Sequence, residues 1–260
     1  MTIPFIRPRV VEDPELRLIG FHHAGGSGSA YFPLHKELPP TWELLLLDLP
    51  GRGKRYGQAP IEELTEAVEL AVRDVLPWTD APFALFGHSY GSLVALETAR
   101  TLHGLGREPV WLGVSGRVPP SYRGRRKQLS SLPDGELLQE LDAMGGLPEQ
   151  LAEIPEFLDR FVRLTRADLR AVESFRPAED RAVLGCPITV FCGTDDAWGP
   201  PEEMDGWGLE TSAGHRRLVH RGGHFYFLGS AMPAFARGVV AEIESALATA
   251  GVPTTGGALR

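Results

Sequence analysis

The sequence predicts an α/β chain built on a doubly wound, mostly parallel sheet, with a block of helices inserted late in the chain. Three observations carry this. From Leu16 to Val114 short apolar runs alternate with amphipathic stretches, the rhythm of strands joined by crossover helices. Between about Pro119 and Pro177 the rhythm breaks and only helical pieces can be drawn. It resumes at Pro187 and closes on a long helical stretch. The expected division is therefore a core of residues 1–118 and 181–260 with a helical lid over 119–180.

Leu16–Phe21 (LRLIGF) reads as the first strand and runs into a glycine-rich turn, HHAGGSGSA. A short helix over Tyr31–Leu38 stops at Pro39 and Pro40. Trp42–Leu49 is almost wholly apolar, as expected of a strand covered on both faces. Ile61–Leu76 has apolar residues at 61, 64, 67, 68, 71, 72, 75 and 76, the spacing of an amphipathic helix. Phe83–Phe86, Tyr90–Leu102 and Val110–Val114 follow as strand, helix and strand. In the insertion, Asp134–Met144, Pro155–Leu158 and Arg160–Phe175 are helical. Pro187–Cys192 and Arg217–His220 are strands, Phe225–Thr249 is a helix, and the tail GVPTTGGALR reads as frayed.

Composition narrows the functional classes. The 260 residues are 43% hydrophobic and 23% charged, an ordinary globular balance. Its 30 glycines and 22 prolines make a fifth of the chain, which fits many tight turns. With 26 basic and 34 acidic residues the net charge is −8, poorly suited to binding nucleic acid. No stretch approaches the roughly 20 apolar residues that span a bilayer, and the first residues lack the apolar core and cleavage site of a signal peptide. The two cysteines, Cys186 and Cys192, read as buried free thiols flanking one strand. A cytoplasmic protein is expected, with no nucleic-acid or membrane partner and a monomer as the default state.

The strongest chemical signal is Gly87-His88-Ser89-Tyr90-Gly91, a G-x-S-x-G between the strand ALF and the helix YGSLVALETAR. That setting is what a nucleophile elbow requires: a turn too sharp for side chains at the flanking positions, holding a serine hydroxyl at the head of a helix. A serine hydroxyl is a weak nucleophile at neutral pH and needs a base, and the base needs an orienting carboxylate. In the Ser, Asp, His chain order of such sites the base lies in a late loop. His224, in RGGHFYF just before the last helix, suits this better than His215 or His220, which bracket a strand. The carboxylate falls on FCGTDDAWG, where both Asp195 and Asp196 qualify by position. The G-x-x-D spacing from Gly193 favours Asp196, leaving Asp195 to cap the turn. Two backbone amides should hold the developing oxyanion. Tyr90, after the nucleophile, is one; the other comes from His23-Ala24-Gly25-Gly26, with Ala24 assigned and Gly25 close behind. His22, His23 and His88 have no metal-ligand spacing, so neither a metal nor a cofactor is expected.

With these residues in place the chain resembles the stand-alone type II thioesterases of polyketide and nonribosomal peptide synthases. The likeness includes FHHAGGSGSAYF at the first turn, LDLPGRGKR after the second strand, FGHSYGSLVALETAR at the elbow and GGHFYF at the histidine. It extends to LPDGELLQELDAMGGLPEQL and RADLRAVESF, which resemble that family's helical lid. His22–His23 before AGG departs from the aromatic or proline-containing version expected there. The resemblance implies an α/β-hydrolase fold and hydrolysis of acyl groups from the phosphopantetheine arm of acyl or peptidyl carrier proteins, with small acyl thioesters as further substrates. A chain beginning at Met1 with about 15 residues before the first strand reads as free-standing. A small-molecule carboxylesterase or peptidase of the same fold is the alternative, and a non-catalytic binding protein a more distant one. Carrier proteins are acidic, so docking to an acidic enzyme calls for a local basic patch. Two offer themselves: Arg123, Arg125, Arg126 and Lys127, or Arg160, Arg163, Arg166 and Arg170 along one helical face, partly neutralised by Asp159 and Asp168.

Overall fold

A computed structural model describes residues 4–124, 127–147 and 155–251. Seven strands form one sheet: β1 (Phe5–Ile6), β2 (Leu16–Phe21), β3 (Trp42–Leu47), β4 (Phe83–His88), β5 (Trp111–Ser115), β6 (Ile188–Gly193) and β7 (His215–His220). Their spatial order is β1-β3-β2-β4-β5-β6-β7. Every pairing is parallel except β1 with β3, where Phe5 lies opposite Leu47 and Ile6 opposite Leu46.

The strands from β2 to β6 are buried along their whole length, and alternate residues feed two cores. Ile19, Phe21, Leu45, Leu47, Leu85 and Val114 face one side, where they meet α1 (Leu64–Val75) and α2 (Tyr90–Gly104). Leu18, Leu44, Leu46, Phe86, Trp111 and Phe191 face the other, against the 3-10 segment Gly28–Lys36 and the last helix, α5 (Met232–Ala250). This is the doubly wound arrangement expected of continuous apolar strands. Between β5 and β6 come α3 (Asp134–Ala143) and α4 (Pro155–Ser174). A small apolar cluster of Leu129, Leu137, Leu141, Phe161 and Val162 joins α3 to α4.

Several expected boundaries move, each for a physical reason. The helix drawn over 31–38 is a 3-10 segment with Pro33 inside it, a residue that cannot donate to an α-helical ladder. The helix drawn from Phe225 starts at Met232: Gly229 has φ +64° and Pro233 takes a first-turn position, so the apolar residues 225–228 form a turn ahead of the helix. The pieces 155–158 and 160–175 are one helix. β1 was not anticipated, since two residues carry no periodic signal. The expected frayed tail lies, beyond Gly251, outside the described residues. Among the described residues no helix is long and apolar enough to cross a membrane.

Candidate active site

Ser89 sits between β4 and α2 with φ 54° and ψ −113°, the one described non-glycine residue at positive φ. The strain is made possible by its neighbours. A Cβ on Gly87 would lie 2.0 Å from the Gly91 carbonyl oxygen, and one on Gly91 would lie 2.3 Å from that of Phe21. The turn is braced from β5: the Ser89 amide donates to the Ser115 carbonyl at 2.8 Å. Ser92 Oγ lies 2.9 Å from both the Gly87 and the Ser115 carbonyl oxygens, and the Ser115 amide donates back to it at 3.0 Å. Ser92 was not singled out from the sequence, although it lies one residue past the motif.

β6 and β7 deliver the other two groups. His224 Nδ1 lies 3.0 Å from both Oδ1 and Oδ2 of Asp196, with the carboxylate 2% exposed. The Trp198 amide also donates to Asp196 Oδ1, at 2.9 Å. Asp195 points elsewhere: it is exposed, and its Oδ2 accepts from Thr194 Oγ1 at 2.8 Å. Of the two carboxylates, Asp196 is the one that faces the imidazole. Nδ1 is engaged there, and His224 also lines the cavity that holds Ser89. His215 is exposed; His220 stacks on Tyr226 at 5.2 Å between centroids, away from the site.

Ser89, Tyr90, Ala24 and His224 line one cavity of about 600 Å³, and Leu141, Met144 and Val172 of the insertion also line it. Tyr90 is the first residue of α2, where amides point free of the helix ladder. In the loop after β2 the Gly25 amide is already given to Asp168 Oδ2 at 2.8 Å, whereas Ala24, beside it, lines the cavity. Beneath His224 lies His88, their ring centroids 4.6 Å apart. His88 Nδ1 lies 2.8 Å from Ser115 Oγ, which is 2.6 Å from the Tyr226 hydroxyl. Burial, with His224 and His23 nearby, holds the His88 pKa well below the ordinary histidine value. His22 is lowered in the same way, by burial and by Arg52. Burial, His224 and Arg52 together lower His23 to about 3. All three are neutral rings, not extra cations. Among the described residues no three His, Cys, Asp or Glu side chains converge as a metal site.

The thioesterase-domain family profile matches residues 16–243. The chain belongs to the thioesterase family. It is 36% identical over 217 residues to thioesterase PikA5 of Streptomyces venezuelae, covering 81% of this chain and 75% of that one. It is 31% identical over 227 residues to the gramicidin S biosynthesis protein GrsT of Aneurinibacillus migulanus, covering 87% and 88%. Among solved structures, the type II thioesterase BorB of the borrelidin cluster superposes with a TM-score of 0.84 at 31% identity, over 93% of this chain and 98% of that one. The protein is thus a serine hydrolase of thioesters on the α/β-hydrolase fold.

Two features of this thioesterase run against expectation. The arginine row of α4 is not a free basic face. Arg160 donates to the carbonyls of Gly51 (3.1 Å) and Tyr56, Arg166 to those of Ser130 and Leu132 and to Asp134, and Arg170 pairs with Glu62 at 2.7 Å. Asp168, expected on the surface, is buried against Arg52. In the other patch Arg125 and Arg126 lie outside the described residues. Arg123 and Lys127 both line the cavity, Lys127 paired with Glu140.

Proposed function

We propose that this thioesterase frees acyl groups from the phosphopantetheine arm of acyl or peptidyl carrier proteins, as an editing enzyme of polyketide or nonribosomal peptide biosynthesis. The observation that carries the reading is the single cavity in which the strained serine, the carboxylate-backed histidine and two amide-bearing turns meet under the inserted helices. In this reading residues 119–180 act as a lid over the core, 1–118 and 181–260. The names of the relatives, with their biosynthetic settings, support the same pathway class.

Ser89, His224 and Asp196 are the proposed triad. His224 takes the Ser89 proton as Oγ attacks the thioester carbonyl, and Asp196 steadies the imidazolium that forms. The carbonyl oxygen takes the negative charge and is held by the Ala24 and Tyr90 amides. Collapse breaks the carbon–sulfur bond and releases the arm as its thiolate, which recovers a proton from His224. A water molecule deprotonated by His224 then attacks the acyl-serine ester, and the acid leaves as Ser89 regains its proton. No cofactor enters these steps; phosphopantetheine arrives as part of the substrate. The free, buried Cys186 and Cys192, whose thiols burial raises to about 12 and about 11, suit a reducing compartment such as the cytoplasm.

The test is a panel of acyl-carrier thioesters of graded chain length beside matched oxygen esters and acyl thioesters without the carrier. Faster cleavage of the carrier thioesters is expected. Equal rates on thioester and oxygen ester would favour a general esterase, and indifference to the carrier would remove the editing role.

A further inference from the structure

Arg52, in the PGRG turn after β3, and Asp168, in the middle of α4, form a buried pair. Nη1 lies 2.7 Å from Oδ2 and Nη2 lies 2.8 Å from Oδ1, with the two residues 4% and 1% exposed. The pair reaches past itself into the loop between β2 and the 3-10 segment Gly28–Lys36. Asp168 Oδ2 also accepts the Gly25 amide at 2.8 Å, and Arg52 Nη1 donates to the Gly26 carbonyl at 3.2 Å. The loop closes on itself through the Gly26 amide and the His23 carbonyl, at 3.0 Å. Contact with α4 is so close that a Cβ on Gly25, whose φ is +72°, would lie 2.1 Å from Thr165 Oγ1.

We infer that Arg52 and Asp168 are positioning residues for the oxyanion-binding loop, so that helix α4 of the insertion is a structural part of the oxyanion site as well as its cover. The inference rests on the proposed role of the Ala24 amide. That amide belongs to the peptide immediately before the one whose N–H Asp168 holds. With the Gly25 N–H, the Gly26 carbonyl and the His23 carbonyl all tied, the Ala24 N–H has one direction left to point. A donor for a developing oxyanion must be set before the charge arrives, because reorganising it during the reaction forfeits much of its effect. The arginine has a second task. A lone carboxylate beside the loop would oppose the oxyanion, and the bidentate guanidinium cancels that charge while fixing the carboxylate plane.

The test uses the full chain with an acyl-carrier thioester as substrate and an alkyl boronic acid as probe. The boronic acid forms a tetrahedral adduct on a serine and places an oxygen where the oxyanion would sit. Asp168→Asn keeps the side-chain shape; Arg52→Lys keeps a cation and removes the two-pronged geometry. Arg166→Ala is the control for lid attachment, since it removes the Arg166 bonds to Ser130, Leu132 and Asp134 without touching the loop. For both loop variants kcat is expected to fall at least about tenfold with KM within about twofold, and boronate affinity to fall by the same factor as kcat. The control, at matched loss of melting temperature, should keep its boronate affinity. If Asp168→Asn leaves kcat unchanged or raises it, the positioning role is wrong and only charge mattered. A loss confined to KM or to melting temperature overturns it too. Should Asp168→Asn not fold, Arg52→Lys alone decides on the same readouts. Failure of the wild type to bind the boronate or cleave the thioester would instead overturn the proposed function.

Discussion

Around Ser89 the chain is fixed by backbone geometry and close packing, whereas α4, besides its apolar contacts through Phe161, Val162, Ala171 and Val172, is tied by charged side chains. The elbow has glycine on both sides, a serine at positive φ and three hydrogen bonds into β5, with the sheet's two apolar layers behind it. The roof has Arg160 on loop carbonyls, Arg166 on the 130–134 segment, Asp168 on Arg52 and Glu173 on the amides of Leu129 and Ser130. The first arrangement can hold one geometry only. The second adds to its apolar contacts a set of separate ties. On the proposed function, an enzyme that admits a long arm and an acyl chain gains from rigid chemistry beneath a separately tied cover, and the two regions differ in that sense.

The sharpest way to break the comparison is at the elbow. Ser89→Ala should lower turnover at least about ten-thousandfold while leaving the melting temperature close to that of the wild type. Ser89→Gly, equally inactive, should be more stable by about 1 kcal/mol, because glycine accepts φ 54° without strain. Substantial residual hydrolysis in Ser89→Ala would remove the elbow from the chemistry. A Ser89→Gly variant no more stable than wild type would mean that the strain is not stored there.

The next effect separates the two carboxylates. Asp196→Asn should cost about 10⁴-fold in kcat, since an amide at that position favours the wrong imidazole tautomer. Asp195→Asn should stay within about twofold, because its carboxylate bonds only to Thr194. Side-by-side kinetics decide, and a larger loss in Asp195→Asn would reverse the assignment.

How much of this was legible in the sequence follows the same division. Ser89, Tyr90 and Ala24 stand in turns a few residues long, and His224 sits between a glycine pair and a helix, so local motifs locate them. The G-x-x-D spacing favoured Asp196, the carboxylate that lies 3.0 Å from His224 Nδ1. The ties of the lid could not be read that way. Arg52 and Asp168 are 116 positions apart, and on a helical wheel Asp168 looks like one more solvated charge among arginines. The LDLPGRGKR segment carried part of the family likeness but could not name a partner for Arg52. β1 was missed because two residues have no period. The start of α5 was set too early because Phe225–Leu228 are apolar enough to mimic a helix face.

Acid should lower the stability of the fold through three buried histidines. His22, His23 and His88 are neutral in the fold, with pKa values held below the ordinary one, His23 at about 3. In the unfolded chain each binds a proton below about pH 6.5. The unfolded state therefore holds more protons there, and stability falls as pH falls, by up to about 1.4 kcal/mol per pH unit for each histidine. Their contribution is whole above pH 6.5 and is lost on the way down to the folded values. Chemical denaturation at pH 7.5, 6.0 and 5.0 should show the decline. His88→Gln, though less stable at neutral pH, should show a shallower one, and an equal slope would exclude His88 as a contributor.

The smallest effect belongs to the outermost tie of α4. Arg170 and Glu62 pair at 2.7 Å, but both are about half exposed. Water and salt screen such a pair, and holding two long side chains together costs entropy, so exposed pairs contribute about 0–1 kcal/mol. Arg170→Ala, Glu62→Ala and the double variant should therefore differ from wild type by less than about 1 kcal/mol, with the coupling shrinking further in high salt. Hydrolysis of small acyl thioesters should not change. A coupling well above that range would mean that α4 is held as tightly at its solvent edge as at Asp168. The contrast between a rigid elbow and a separately tied roof would then fail at the point where it is easiest to measure.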